Sequence, residues 1–409
     1  MITDPSGSPP VMNVLITGGR APVALELSRL LQAAGHRVYA AESAEYHLCR
    51  VSSAVERSFC VPPPRHNPEA YIDLLARLIE ELHIDVLIPL CEEIFYISAG
   101  LARLRGCRVL SAERETLARL HHKGEFIAWA RELGLTVPET RLLSSPEEWR
   151  IQTDEAAHTR EAWVYKPAYS RFASKVILPR MVNGRQEDIG GPRSLAAPRG
   201  ISSAAPWVAQ QYITGEAICT YSVVHQGEVI AHAAYGSRYR TGRSGASVYF
   251  EHLEHPAALD WVQRFSRASG FSGQIGFDFI QVQEGTLYPI ECNPRATSGI
   301  HLFAAEDGLV QALLNPEQRA LAGTVSMPRS GKKSMLALPM LACALRPGPA
   351  GLAEWGRALR QAEDVIFRKS DPRPFREQLR IIYHACRLAR RNKISVTEAL
   401  TEDIEWNGE

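Results

Sequence analysis

The first residues with a clear hydrophobic pattern predict a strand, a helix and a second strand in succession. NVLITGG (13–19) is a β-branched run that ends in glycines, an amphipathic stretch covers 23–34, and HRVYAAES is a second strand-like run. Strands joined through a helix lie parallel in one sheet. A further helix (EAYIDLLARLIEELHI) and the strands DVLIPLCEE and CRVLS continue the pattern. We therefore predict a small parallel-sheet domain over residues 13–115.

Ligands bind in the crevice outside the carboxyl ends of such strands. The predicted strand ends carry Gly18, Gly19, Arg20, Glu42, Ser43, Cys91, Glu92 and Glu93. A nicotinamide-binding domain is one interpretation, because Glu42 stands roughly where a ribose-binding acid belongs. Against it, the glycine pattern is GGRAP rather than GxGxxG.

Length and composition limit the classes of protein that the chain can be. At 409 residues the chain exceeds one ordinary domain. A 45% hydrophobic content without an apolar run of about 20 residues excludes a membrane span. The formal charge of +1 disfavours nucleic acid as a partner. Eight scattered cysteines without a CxxC pair predict neither a disulfide framework nor a zinc site, which fits the cytoplasm. Residues 1–12 lack the features of a signal peptide and are interpreted as a flexible leader.

The middle of the chain predicts a mixed domain over residues 116–328. A helical pattern runs from Arg114 to Leu133, and the strands WVYKPA and WVAQQYI follow. Between them, residues 181–206 are rich in Gly, Pro, Ser and Arg and predict a long, mobile loop. TYSVVHQGEVIAHAAYG predicts a hairpin that turns at Gln226 and Gly227.

A second predicted hairpin, QIGFDFIQVQEGTLYPIECNPR, carries acidic residues on both strands. Asp278 lies within the first strand, and Glu291 and Asn293 share one face of the second because side chains alternate along a strand. Hairpin pairing brings Asp278 beside them. Three oxygen ligands suit Mg²⁺. A solvated hairpin that merely carries acids is the alternative, but Glu291 stands among apolar residues, where an unpaired carboxylate is costly.

Cationic residues lie near this hairpin and on earlier elements. Arg295 precedes the small-residue turn ATSG, and its guanidinium suits a phosphoryl group or a carboxylate. Lys166 lies in the strand WVYKPA, and Lys123 follows two histidines. Taken singly, each lysine is more often a surface residue, and a lone arginine is more often part of a surface ion pair. Cys292 alternates to the opposite strand face and is interpreted as a core residue.

Taken in order, these segments resemble the ATP-grasp superfamily of carboxylate–amine ligases, including the small α/β domain that precedes the ATP-grasp fold. The resemblance covers about residues 13–302 through ITGGRAP, HHKGEF, GLTVPET, VYKPA, VAQQYITGE, GQIGFDF and IECNPRATSG. It implies an α/β and α+β multidomain protein with a lid subdomain at about 161–212. The implied cofactors are ATP and two Mg²⁺, with Mn²⁺ as an alternative ion.

The resemblance also implies residue roles. Lys123 and Lys166 contact ATP phosphates, and Lys166 and Arg295 take part in catalysis, Arg295 by steadying an acyl phosphate. The hinge residues Gln210, Gln211 and Ile213 meet adenine, Glu216 binds ribose, and Asp278, Glu291 and Asn293 hold the metal. One departure stands out: AYSRFASK lacks the glycines that usually close over the phosphates.

The implied activity is ATP-dependent ligation, in which a carboxylate becomes an acyl phosphate that an amine or related nucleophile attacks, with release of ADP and phosphate. The substrate candidates are Glu92, Glu93, Ser298 and the arginines of GSRYRTGRSG, namely Arg238, Arg240 and Arg243. An ordinary mobile loop is the alternative for GSRYRTGRSG. The alternatives for the whole chain are a nicotinamide-binding oxidoreductase and a non-catalytic ATP-binding regulatory protein.

The last region, residues 329–409, predicts mostly helices that either cap the site or form an oligomer interface such as a homodimer. The last long helix carries a basic face, and its apolar residues Leu379, Ile382, Tyr383, Cys386 and Leu388 are expected to be its buried side.

Overall fold

A computed structural model describes residues 10–159, 161–170, 175–179, 195–240, 246–344 and 351–408, and the backbone alone of 181–182 and 185–186. Residues 1–9 of the predicted leader, Arg243, and residues 171–174 of the loop AYSRFASK lie outside the described residues. No helix in the described part of the chain is both long enough and apolar enough to span a membrane.

The first domain is a five-stranded parallel sheet with strand order β3-β2-β1-β4-β5. Its strands are β1 (Asn13–Thr17), β2 (Arg37–Glu42), β3 (Arg57–Cys60), β4 (Val86–Ile88) and β5 (Arg108–Val109). Its helices are α1 (Pro22–Ala33), α2 (Leu48–Val51), α3 (Pro68–Glu81) and α4 (Ile94–Ala99). The predicted parallel-sheet domain is confirmed, although the hydrophobic pattern gave no sign of the short strand β3.

Two helices, α5 (Arg114–His121) and α6 (Lys123–Glu132), replace the single helix predicted here. The break falls at His122, whose backbone is extended and whose Nδ1 accepts a hydrogen bond from the Glu125 amide. This side chain caps α6 and satisfies one of its free amide groups. Lys123 consequently occupies the first turn of a helix, where its direction is fixed.

A small antiparallel sheet follows, with strand order β6-β10-β7. It consists of β6 (Thr140–Leu143), β7 (Trp163–Pro167) and β10 (Trp207–Gln211), and α7 (Pro146–Thr159) lies between β6 and β7 in sequence. Two short strands, β8 (Met181–Val182) and β9 (Arg185–Gln186), pair with each other within the range predicted as a loop. Trp149, Trp163 and Tyr165 form part of the core of this subdomain.

The largest sheet has seven strands in the order β15-β14-β11-β12-β13-β16-β17. Its strands are β11 (Glu216–His225), β12 (Glu228–Gly236), β13 (Tyr249–Leu253), β14 (Gly273–Gln281), β15 (Leu287–Asn293), β16 (Lys333–Met335) and β17 (Glu363–Asp364). The accompanying helices are α8 (Pro256–Ser269), α9 (Leu309–Leu314) and α10 (Pro316–Leu321). Both predicted hairpins form, and Gln226 and Gly227 have the positive φ angles of a tight turn.

The C-terminal region contributes the helices α11 (Ala337–Cys343), α12 (Gly351–Gln361), α13 (Arg373–Asn392) and α14 (Val396–Ala399). It also supplies β16 and β17, so part of it completes the large sheet. The predicted buried face of α13 is wrong for Leu379, Ile382 and Tyr383, which are 67%, 45% and 70% exposed. The helix instead buries Ala385 and Ala389, whose small side chains allow close packing.

Candidate active site

The second hairpin brings the predicted metal ligands together. In the pairing of β14 with β15, Asp278 lies opposite Glu291 and Gly276 lies opposite Asn293. Glu291 and Asn293 are two residues apart and share a face. Gly276 is required at this point because a Cβ atom there would lie 2.4 Å from Cγ2 of Thr297 and 2.8 Å from the Thr220 carbonyl oxygen. The backbone therefore places two carboxylates and one amide side by side.

Two buried lysines approach the same hairpin from different elements. Lys123 is 2% exposed, and its Nζ lies 3.5 Å from Oε1 of Glu291 and donates to the Ser170 carbonyl at 3.0 Å. Lys166 on β7 is 5% exposed, and its Nζ donates to the Ile290 carbonyl at 2.7 Å and to Oε1 of Gln210 at 2.9 Å. The interpretation of these residues as ordinary surface lysines is therefore wrong.

Burial and neighbouring charges shift the pKa values of this cluster in different directions. Burial lowers the pKa of Lys166 to about 7, partly opposed by Glu291. Burial works to raise the pKa of Glu291, but Lys123 and Lys166 outweigh it and hold that pKa below its usual range. Burial and the Glu291 charge together raise the pKa of Asp278. Glu291 is therefore readily ionised, Asp278 holds its proton more tightly than usual, and Lys166 loses its proton more easily than an ordinary lysine.

Arg295 lies just after the hairpin, where its side chain contacts both Asn293 of the hairpin and Glu92 of the first domain. Its Nη2 donates to Oδ1 of Asn293 at 2.9 Å and lies 3.7 Å from Oε1 of Glu92. Its Nε is buried and has no acceptor among the described residues. A buried guanidinium donor without an acceptor fits a site that receives an anion.

The residues predicted to meet the nucleotide base lie where the small sheet passes into the large one. Gln210 is buried, and its side chain is held by Lys166 and by Oγ1 of Thr140. Gln211 is exposed and bonds to the backbone of Glu139, Ile213 is half-buried, and Glu216 is exposed at the start of β11. The backbone approaches β14 so closely here that a Cβ atom on Gly215 would lie 2.1 Å from the Gln281 carbonyl oxygen.

The acidic substrate candidates follow β4 and have different surroundings. Glu92 is fully buried and faces Arg295. Oε1 of Glu93 accepts hydrogen bonds from Oγ1 of Thr17 and from the amides of Leu90 and Cys91. Glu93 therefore fastens the turn that presents Glu92.

The other described substrate candidates follow two strands of the large sheet, Arg238 and Arg240 after β12 and Ser298 after β15. Arg238 pairs with Glu354 of α12, and Nε of Arg240 donates weakly to the Ser237 carbonyl at 3.4 Å. The positive charge of Arg240 also acts on Asp278. Ser298 begins a short 3₁₀ helix directly after the turn that follows Arg295, and it is half-buried.

These residues fit a magnesium–nucleotide complex. The candidate ligand set consists of two carboxylates and one amide. It therefore differs from a cluster of three or more His, Cys, Asp or Glu side chains, and the described residues contain no such cluster. Hard oxygen ligands suit Mg²⁺, which takes its remaining ligands from water and phosphates. Lys123, Lys166 and Arg295 would then face the phosphate charge.

Sequence reasoning missed Cys219, which lies opposite Asp278 across β11 and β14 and whose thiol works to lower the pKa of Asp278 against the effect of burial. It also missed the aromatic residues Tyr169 and Trp406 near the first turn of α6. Tyr169 follows VYKPA directly, which was an available signal. Trp406 lies far from the other motifs in sequence, and no local pattern marks it.

A family profile described as "ATP-grasp domain" matches residues 121–299. No curated protein shows significant sequence similarity to this chain. Among solved structures, N5-carboxyaminoimidazole synthetase from Staphylococcus aureus in complex with ADP is similar at 13% identity and a TM-score of 0.56, with 80% of each chain covered. The ADP complex of N5-carboxyaminoimidazole ribonucleotide synthetase is similar at 12% identity and a TM-score of 0.53, covering 71% of this chain and 72% of that one.

A third similar structure is the biotin carboxylase domain of Hydrogenobacter thermophilus 2-oxoglutarate carboxylase with MgADP and bicarbonate. The identity is 13% and the TM-score 0.51, with 71% of this chain and 65% of the other covered. Residues 121–299 of this chain thus match an ATP-grasp domain, and the chain shares its overall fold with these solved structures.

Proposed function

We propose that this protein is an ATP-dependent, ADP-forming carbon–nitrogen ligase. It activates a carboxylate as an acyl phosphate and joins it to an amine or a related nucleophile. The observation that carries the proposal is the position of Glu291, which lies opposite Asp278 in the hairpin and beside Lys123 within an ATP-grasp domain. The solved structures named above include enzymes described as synthetases and a biotin carboxylase domain with MgADP and bicarbonate.

In the proposed mechanism, Asp278, Glu291 and Asn293 hold the metal of the nucleotide, with two Mg²⁺ expected and Mn²⁺ as an alternative. Magnesium bound there neutralises charge on the phosphoryl oxygens during transfer. Lys123 and Lys166 bind the phosphates from two sides. Arg295 orients the acyl phosphate, since its buried Nε is free to donate to an anion.

Substrates are proposed to enter between the hairpin and the end of β4. Arg295 and Arg240 suit a carboxylate, and Glu92 suits an amine. Gln210, Gln211 and Ile213 are proposed to meet adenine, and Glu216 to bind ribose. We further propose small-molecule substrates, a cytoplasmic location and a homodimer, without nucleic-acid or membrane partners.

The nicotinamide-binding alternative depends on Glu42, whose surroundings disfavour it. Arg20 binds this carboxylate through its side chain and its backbone amide. Asp403 of the last segment binds the other side of Arg20. A ribose would have to displace this buried network.

The test is a screen of carboxylates paired with amines that measures both ADP formation and product mass. We expect one pair to give stoichiometric ADP and a condensed product with the wild type and no reaction with Glu291→Ala. Nucleotide binding without ADP formation or product across the screen would favour a non-catalytic or regulatory nucleotide-binding protein. Equal turnover by Glu291→Ala would refute the site.

A further inference from the structure

The last segment of the described chain, residues 400–408, lies across the carboxyl edge of the first sheet. Arg20 donates to the Leu400 carbonyl at 2.9 Å and to the two carboxylate oxygens of Asp403 at 2.6 and 2.7 Å. The Arg65 amide donates to the Asp403 carbonyl at 3.1 Å, and Ile404 is 3% exposed. The segment is therefore held in place by several buried contacts.

Beyond these contacts the segment reaches the candidate active site at Trp406. Its indole stacks on Phe95 of α4 with ring centroids 4.4 Å apart, and it meets the ring of Tyr169 edge-on at 5.2 Å. Its backbone amide donates to Oε2 of Glu92 at 3.4 Å, and the side chain is 4% exposed. Trp406 thus joins the first domain to the loop that follows β7.

That loop in turn holds Lys123. Tyr169 packs edge-on against His122 with centroids 4.9 Å apart. The residues on either side of Tyr169 accept both hydrogen bonds of the lysine: the Ala168 carbonyl binds its amide at 3.0 Å, and the Ser170 carbonyl binds Nζ at 3.0 Å. Nζ lies 3.5 Å from Glu291. A continuous chain of packed groups connects Trp406 to the hairpin.

Aromatic rings suit such a role because they are large and rigid and prefer edge-on or stacked contacts. The ring of Tyr169 contacts those of His121, His122 and Trp406, and removing the indole takes away one of these three contacts. The carbonyls that aim Lys123 lie on the same three-residue stretch. Small displacements of a charged donor cost binding energy, since directional hydrogen bonds to charged groups weaken steeply with misalignment.

We propose that Trp406 is a positioning residue for nucleotide binding, acting through Tyr169 to hold Lys123 in its phosphate-binding direction. The inference rests on the proposed function, because it takes Lys123 as a phosphate ligand.

The experiment measures the affinity of the full chain for AMP-PNP with saturating Mg²⁺ by isothermal titration calorimetry. We expect Trp406→Ala to bind about tenfold more weakly, which corresponds to 1.4 kcal/mol. Trp406→Phe should recover most of the affinity, because a phenyl ring restores the aromatic contacts. Trp355→Ala is the matched control, since Trp355 belongs to the same C-terminal region but packs against α11.

A double substitution tests whether the effect of Trp406 on Lys123 passes through Tyr169. If Trp406 acts through Tyr169, Trp406→Ala combined with Tyr169→Ala binds no more weakly than Tyr169→Ala alone. Urea titrations confirm that each variant is folded. If Trp406→Ala is not folded, Trp406→Leu is used in its place, because leucine keeps more of the apolar volume than alanine and has no ring. Wild-type affinity in a folded Trp406→Ala or Trp406→Leu variant would overturn this inference alone. Absence of AMP-PNP binding by the wild type would overturn the proposed function as well.

Discussion

Two clusters of buried and half-buried charged side chains occur in this molecule, and they differ in how their charged groups are bonded. In the edge cluster, formed by Arg20, Glu42 and Asp403, the guanidinium bonds to both carboxylates, and Ser43 donates to Asp403. The hairpin cluster is formed by Lys123, Lys166, Asp278, Glu291 and Asn293. Among the described residues, the hydrogen-bond acceptors of Lys166 Nζ are neutral oxygens of Gln210 and Ile290.

The difference appears in whether the surroundings favour the charged or the neutral form of a buried group. In the edge cluster, burial works against ionisation of Glu42, but Arg20 outweighs it and lowers the pKa to about 2. In the hairpin cluster, burial prevails and lowers the pKa of Lys166 to about 7. A cluster whose charged groups bond directly to one another stabilises the fold, whereas one in which a buried lysine donates to neutral oxygens is suited to bind a charged ligand.

The largest expected effect separates function from stability in the hairpin cluster. We expect Lys166→Met to lower turnover by about a hundredfold or more, because a phosphate ligand used in the transition state is lost. The free energy of unfolding should change by no more than about 1 kcal/mol, since the substitution also removes a costly buried charge. Steady-state ADP formation and urea unfolding measure the two quantities. A large loss of stability would mean that Lys166 is structural.

The edge cluster should respond in the opposite way. Glu42→Gln leaves the buried Arg20 with only part of its partner charge, so we expect a loss of about 3 kcal/mol in the free energy of unfolding. AMP-PNP affinity should stay within about twofold of the wild type in the folded protein. A marked loss of nucleotide affinity with unchanged stability would reverse the roles that we assign to the two clusters.

Acid sensitivity gives a second measure of the edge cluster. The folded pKa of Glu42 of about 2 lies below its ordinary value of 4.5, so its contribution is complete above pH 4.5 and is lost as the pH falls toward 2. Chemical unfolding at a series of pH values should show a steeper loss of stability for the wild type than for Glu42→Gln. Parallel curves would contradict the assigned pairing.

The smallest expected effect is a proton taken up when nucleotide binds. Lys166 has a pKa of about 7 in the free protein, and nearby phosphates would raise it. Above pH 7 binding should therefore take up close to one proton, and affinity should fall by up to about tenfold per pH unit. Calorimetry of AMP-PNP binding at pH 8 in HEPES and in Tris measures this uptake. Equal heats in the two buffers, or uptake retained in Lys166→Met, would exclude Lys166 as the titrating group.

Local patterns predicted the acidic hairpin of the hairpin cluster because strand pairing across a short turn depends on short-range rules, whereas the approach of Lys123 and Lys166 is long-range. The turn at Gly285 and the alternation of side chains bring Asp278 near Glu291, but the regular register would pair Asp278 with Ile290. An irregularity between Asp278 and Phe279 shifts the pairing by one residue and places Asp278 opposite Glu291. The break before Lys123 was missed because His122 caps a second helix within an uninterrupted helical pattern.

The edge cluster and Trp406 could not be predicted from local patterns. Arg20 and Asp403 are 383 residues apart, and Glu92 and Trp406 are 314 residues apart. Short acidic segments such as DIEWNGE have no periodicity that indicates where they dock. The buried face of α13 was also predicted wrongly. The helix buries its small residues Ala385 and Ala389 and leaves its large apolar residues exposed, which a hydrophobic pattern does not indicate.

The central claim, that Glu291 holds the metal of a bound nucleotide, is tested most directly by the magnesium dependence of nucleotide affinity. AMP-PNP would be titrated into the wild type and Glu291→Ala, each with and without Mg²⁺. We predict that Mg²⁺ strengthens binding to the wild type by about tenfold or more and that the substitution removes this gain. The same magnesium dependence in both proteins would contradict the account.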